Sequence, residues 1–134
     1  MPPTVALLTD FGTLDAYVAA MKGVILDRAP GASLVDITHH VPAQDVYTGA
    51  FLLGTLRGTF PAGSVFLCVV DPGVGTDRPA LALHAGGHWY VGPDNGLFSY
   101  ILAQQAINLW AGAPHEVPPR PRPIALRDGV TAYH

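Results

Sequence analysis

The chain has 134 residues, the length of one domain, and with 49% of them hydrophobic and only 13% charged it can bury a real core. A net charge of -3 without a basic stripe argues against nucleic acid as a partner, and no apolar run reaches membrane-spanning length. The one cysteine, Cys68, rules out a disulfide within the chain, and no cationic segment precedes the first apolar run, so a signal peptide is not expected and the cytoplasm is the default.

The first predicted strand is Thr4 to Thr9, ending at Asp10-Phe11-Gly12. A helix is predicted from about Asp15 to Arg28, with Val18, Met21 and Ile25 at helical spacing among small residues that would let it lie close to a sheet. Pro30-Gly31 ends it. The second strand, Ser33 to Ile37, runs into Thr38-His39-His40. Asp45 is placed to cap a second helix whose apolar stripe is Val46, Ala50, Leu53, Leu56 and Phe60, closed by Pro61-Ala62-Gly63. The third strand, from Val65 to Val70, is apolar on both faces, as in a strand buried between helix layers, and stops at Asp71-Pro72-Gly73. Ala80 to Ala85 and His88 to Val91, joined by Gly86-Gly87, predict an antiparallel hairpin. A loop over 92–96, a short helix from Leu97 to Ala106 and a strand from Ile107 to Trp110 follow. The proline-rich stretch from Pro114 to Pro123 should be extended.

Alternation of strands and helices gives an α/β fold class, a mainly parallel sheet flanked by helices in a Rossmann-like domain, with one antiparallel hairpin. The division expected is an α/β domain over 1–113, then a linker over 114–134 that begins an interdomain segment. In open α/β sheets ligands gather at the carboxyl ends of the strands. Asp71 would stand at that edge with Arg78 able to fold back towards it. A tight turn with a surface ion pair would account for a lone Asp-Pro-Gly, but three other predicted strands also run into polar, potentially site-forming residues, so a functional site is the better reading. Asp10 is placed equally well to accept two hydrogen bonds from a ribose diol or to cap the helix after it. No Walker lysine and no dinucleotide glycine pattern is present. His39 and His40 are adjacent on a strand, so one buried and one solvent-facing histidine is preferred to a shared metal. Asp94-Asn95-Gly96 suits a tight turn with positive φ.

Several blocks, in order, carry a resemblance that spans nearly the whole chain. These are Leu8-Thr9-Asp10-Phe11-Gly12, Asp15-Ala16-Tyr17-Val18, Met21-Lys22-Gly23-Val24-Ile25, Asp36-Ile37-Thr38-His39, Val69-Val70-Asp71-Pro72-Gly73-Val74-Gly75 with Arg78, and Val91-Gly92-Pro93-Asp94-Asn95-Gly96-Leu97. Together they resemble the N-terminal part of the S-adenosyl-L-methionine hydroxide adenosyltransferase family, which is related to fluorinase and chlorinase. The resemblance implies hydrolysis of S-adenosyl-L-methionine to adenosine and L-methionine, without metal or organic cofactor. It implies a homotrimer whose site lies between the α/β domain of one subunit and a smaller β-rich domain of the next. It implies a catalytic set of Asp71, Arg78 and His134, the last carried over from a Thr-aromatic-His motif that Thr131-Ala132-Tyr133-His134 resembles. Asp10, Phe11, Tyr17 and Gln44 match substrate-facing positions, Asp10 holding the ribose diol. An aspartate at position 71, where the halogenating branch has an aromatic residue, implies hydroxide rather than halide as nucleophile.

The family's C-terminal β domain is expected to be absent from these residues, which alone should bind substrate weakly and turn it over little. Two other classes use the same residues: a metal-dependent hydrolase with Asp10, Asp71 and a histidine as ligands, and a non-catalytic nucleoside-binding domain.

Overall fold

β1 (Thr4–Thr9) is built of apolar and β-branched residues, and everything in it after Thr4 is buried. In the computed structural model, which describes residues 2–73, 75–76, 79–103 and the backbone of 131–133, it lies between β2 (Ser33–Thr38) and β3 (Val65–Val69), parallel to both. Its side chains alternate between two cores. Ala6 and Leu8 join Phe66 and Cys68 of β3 under α2 (Val46–Thr55). Val5 and Leu7 join Ala32 on the other face, where Met21 and Ile25 of α1 (Tyr17–Arg28) pack. Leu7 and Leu8 are fully buried, worth about 2 kcal/mol each by their transfer from water. The continuous apolar runs of the sequence thus mark strands covered on both faces.

β4 (Ala80–Ala85) and β5 (His88–Pro93) form the expected hairpin, with Gly86 and Gly87 at φ 58° and 79°. Two successive positive φ values match the right-handed twist of the strands they join. β5 also pairs parallel to β3. The backbone of β6 (Thr131–Tyr133) pairs antiparallel to β4. Among the described residues the sheet order is β2-β1-β3-β5-β4-β6, a mainly parallel α/β sheet as the sequence predicts.

Three local differences from the sequence reading have physical causes. α1 starts at Tyr17, not at Asp15, because the Asp15 carboxylate accepts the Tyr17 N–H and holds the preceding residues in a turn. The small residues Ala19, Ala20 and Gly23 face outward, so Met21 and Ile25 make the contact that close approach was expected to make. α2 ends at Thr55 rather than running to Phe60; Gly58, at φ 76°, turns the chain, and Leu56 and Phe60 reach the core from that turn. The helix end at 104–106, the strand at 107–110 and the extended segment at 114–123 lie outside the described residues.

No helix among the described residues is long and apolar enough to cross a membrane. β3 and β5 leave no room for a side chain at Gly92, where a Cβ would stand 2.5 Å from the Cys68 carbonyl oxygen and 3.0 Å from Phe98 Cζ. A backbone atom cannot step aside as a side chain can. We therefore expect Gly92→Ala to destabilise the fold by about 2 kcal/mol or more, read as a lower urea midpoint.

Candidate active site

Because β1, β2, β3 and β5 are mutually parallel, their carboxyl ends meet at one edge of the sheet. Asp10, His39, Asp71 and Asn95 follow those strands there. Hydrogen bonds tie the strand ends together: Asp10 N–H donates to the Val69 carbonyl at 3.4 Å, Val41 N–H to the Thr9 carbonyl at 3.3 Å, and Gly12 N–H to the His39 carbonyl at 2.6 Å.

Asp10 does not cap α1. Its Oδ2 accepts the Gln44 N–H at 2.7 Å, so the carboxylate is held by the loop that enters α2. Gln44 has φ 61° and is the non-glycine residue in the left-handed region among those described. That conformation costs an ordinary residue on the order of 1 kcal/mol, and the hydrogen bond to Asp10 is what it makes there. The Phe11 and Tyr17 rings lie 6.2 Å apart, centre to centre. Gln44, distant in sequence, is thus tied to Asp10, and Tyr17 lies beside Phe11.

Asp71 follows β3, next in the sheet. Its Oδ1 accepts the Gly73 N–H at 3.0 Å, which folds Asp71-Pro72-Gly73 into the tight turn the sequence suggests. The Val70 carbonyl beside it accepts from Asn95 Nδ2 at 2.9 Å, and Asn95 Oδ1 accepts the Leu97 N–H at 3.2 Å. Asn95 is thus a brace between the ends of β3 and β5, with Gly96 at φ 93° completing the turn. Arg78 and His134, the other members of the expected catalytic set, lie outside the described residues.

Sequence reasoning passed over a polar chain beneath this loop. His39 is buried and His40 exposed, as predicted, but His39 is fully engaged. Its Nδ1 lies 2.8 Å from Thr9 Oγ1 and its Nε2 2.8 Å from Asp36 Oδ1; Lys22 Nζ donates to Asp36 Oδ2 at 2.7 Å. An irregularity in the β1–β2 register makes this possible. Leu7 pairs with Asp36 but Leu8 with Thr38, so Ile37 is an extra residue in β2. That residue places His39, rather than Thr38, beside Thr9. The spacing Asp36-x-x-His39 was visible, but the bulge that turns both side chains to one face was not.

The Lys22 ammonium, and after it the His39 ring, hold the Asp36 carboxyl below the usual carboxylate range by hydrogen bonding to its charged form. A folded-state pKa below the unfolded one gives stability that is complete above the unfolded value, near 4, and is lost as pH falls through the lower folded value. Asp36 is partly exposed, so the term is small, under about 1 kcal/mol. Asp36→Asn should flatten the loss of stability below about pH 4, as measured by denaturant melts across pH.

Residues 5–124 match the SAM hydroxide adenosyltransferase N-terminal domain family. The chain is 47% identical over 130 residues to an (R)-S-adenosyl-L-methionine hydrolase of Thermus thermophilus, covering 93% of this chain and 48% of that protein. It is 31% identical over 125 residues to a fluorinase of an Actinoplanes species, covering 76% of this chain and 42% of that one. Among solved structures, a conserved hypothetical protein from Thermus thermophilus superposes with a TM-score of 0.68 at 45% identity, over 80% of this chain and 43% of the other. An uncharacterized conserved protein from Thermotoga maritima superposes at 0.74 and 36% identity, over 76% and 40%. The chain thus spans half or less of the length of these relatives. By the match over residues 5–124 it belongs to the SAM hydroxide adenosyltransferase family.

Proposed function

We propose that the protein takes part in hydrolysis of S-adenosyl-L-methionine to adenosine and L-methionine, these residues supplying the N-terminal half of the site. The observation that carries the reading is the gathering of Asp10 and Asp71 at one sheet edge, tied through the Asp10–Val69 hydrogen bond, in a chain of this family.

The reaction suits such a site. The oxygen of water forms a bond to the ribose 5′ carbon while the carbon–sulfur bond breaks, its electron pair going to sulfur. The sulfonium leaves as the neutral thioether of methionine and needs no proton. What needs help is the nucleophile, since neutral water is weak. In this reading Asp71 accepts a proton from the attacking water, and Arg78 and His134 complete the catalytic set as the family resemblance implies. Asp10, held by Gln44 N–H, accepts from the ribose diol, and Phe11 and Tyr17 wall the nucleoside. No metal or organic cofactor enters these steps. The reading further places the protein in the cytoplasm as a homotrimer, the neighbouring subunit closing the site.

Incubating the intact protein with S-adenosyl-L-methionine should yield adenosine and methionine in equal amounts. Adenosine binding without products would favour a nucleoside-binding domain, and activity that tracks stoichiometric bound metal and is lost to chelator would favour a metallohydrolase. Asp71→Asn should keep substrate affinity within about twofold and lower turnover by about 100-fold or more, the usual scale of a lost general base. Unchanged turnover would remove Asp71 from the chemistry. In excess chloride or fluoride adenosine should remain the product; a halogenated nucleoside as the main product would overturn the assignment of hydroxide.

A further inference from the structure

We infer that His39 is a positioning residue for the Asp10-Phe11 loop, acting through the Thr9 hydroxyl in its Nε2–H tautomer. The inference rests on the reading of that loop as the nucleoside-holding one.

The directions of the hydrogen bonds follow from what each group can do. The Asp36 carboxylate only accepts, so His39 Nε2, 2.8 Å from it, donates. In the neutral ring Nδ1 is then the acceptor, and the Thr9 hydroxyl, 2.8 Å away, donates to it. With its hydrogen so directed, Thr9 Oγ1 presents a lone pair to the Phe11 N–H, which donates to it at 3.2 Å. The chain therefore runs one way: Phe11 N–H to Thr9, Thr9 to His39, and His39 to Asp36, which also receives Lys22. His39 holds the loop a second time through its own carbonyl, which accepts the Gly12 N–H at 2.6 Å. Asp10 is the residue enclosed by these ties, and its side chain is fixed separately by Gln44.

Burial makes the arrangement more than a surface contact. Thr9 is fully buried and His39 is 4% exposed, so neither can exchange its partner for water without cost. No described buried side-chain nitrogen or oxygen lacks a partner, and both ring nitrogens of His39 are paired. Packing alone would be served by an apolar ring at this place. The polar complement on both ring nitrogens instead fixes the rotation of one hydroxyl, and through it the peptide that follows Asp10.

Two substitutions divide the two arms. In His39→Asn the amide oxygen stands near the place of Nδ1 and keeps an acceptor for Thr9, while the link to Asp36 is lost. In His39→Gln the amide nitrogen stands near the place of Nε2 and keeps the link to Asp36, while Thr9 loses its acceptor. Adenosine affinity should stay within about threefold of wild type in His39→Asn and fall about tenfold or more in His39→Gln, on the scale of a misplaced contact. Phe11 N–H should exchange with solvent about tenfold faster in His39→Gln but not in His39→Asn. Thr9→Val, nearly the same shape without the hydroxyl, should reproduce His39→Gln, and it decides the matter if His39→Gln does not fold. Nitrogen-15 shifts of wild type should show the proton on Nε2. A proton on Nδ1, or equal affinity and Phe11 exchange in both histidine variants, would overturn the inference. A wild-type chain without adenosine affinity would sink the nucleoside reading instead, and the tautomer and exchange measurements would still decide the role of His39.

Discussion

β1 meets water on neither face and at neither edge, and most of the architecture answers that constraint. Its backbone groups are satisfied only if β2 and β3 lie alongside it. Its side chains are covered only if a helix packs on each face, α1 over Val5 and Leu7 and α2 over Ala6 and Leu8. Parallel strands require crossovers, and the helices that make the crossovers are the same helices that make the covers. Once β1, β2 and β3 run the same way, residues that follow them must emerge together. The site is thus a consequence of how one strand is buried.

The edge where these strands end is held by polar ties of two kinds. Short-range turns, such as Asp71 on Gly73 and Asn95 on Leu97, shape each loop. Long-range ties, such as Asp10 on Gln44, Thr9 on His39 and Asn95 on Val70, set one loop against the next. The second kind gives preorganisation, because groups so held need not be ordered again when a ligand arrives. The left-handed Gln44 belongs with them: an unfavourable backbone conformation is retained where its N–H meets the Asp10 carboxylate.

Much of this was legible in the sequence, because the signals involved are local. The apolar runs at 4–9 and 65–70, the Gly86-Gly87 turn and the cap at Asp45 each depend on neighbours in the chain, and each is found. Asp10 and Asp71 were legible as strand-end carboxylates. Tyr17 and Gln44 were not; only the family resemblance singled them out, because periodicity does not show that Gln44 meets Asp10 or that Tyr17 lies beside Phe11. The His39 network was hidden for a sharper reason. Asp36 and His39 are three apart, which in a regular strand puts them on opposite faces, and only the extra residue Ile37 brings them together. A pairing irregularity leaves no mark in composition or periodicity.

Cys68 lies near the carboxyl end of β3, fully buried, with β1 on one side and Gly92 of β5 against its carbonyl on the other. Burial pushes its thiol well above the ordinary range, so the thiolate that would react with an alkylating reagent is suppressed twice, by access and by ionisation. It is also the chain's one cysteine. Any reagent that labels it must wait for the sheet to part at its centre. The rate of labelling therefore reports the opening of the core itself rather than the fraying of its edges, and a ligand that clasps the strand ends together would slow that clock.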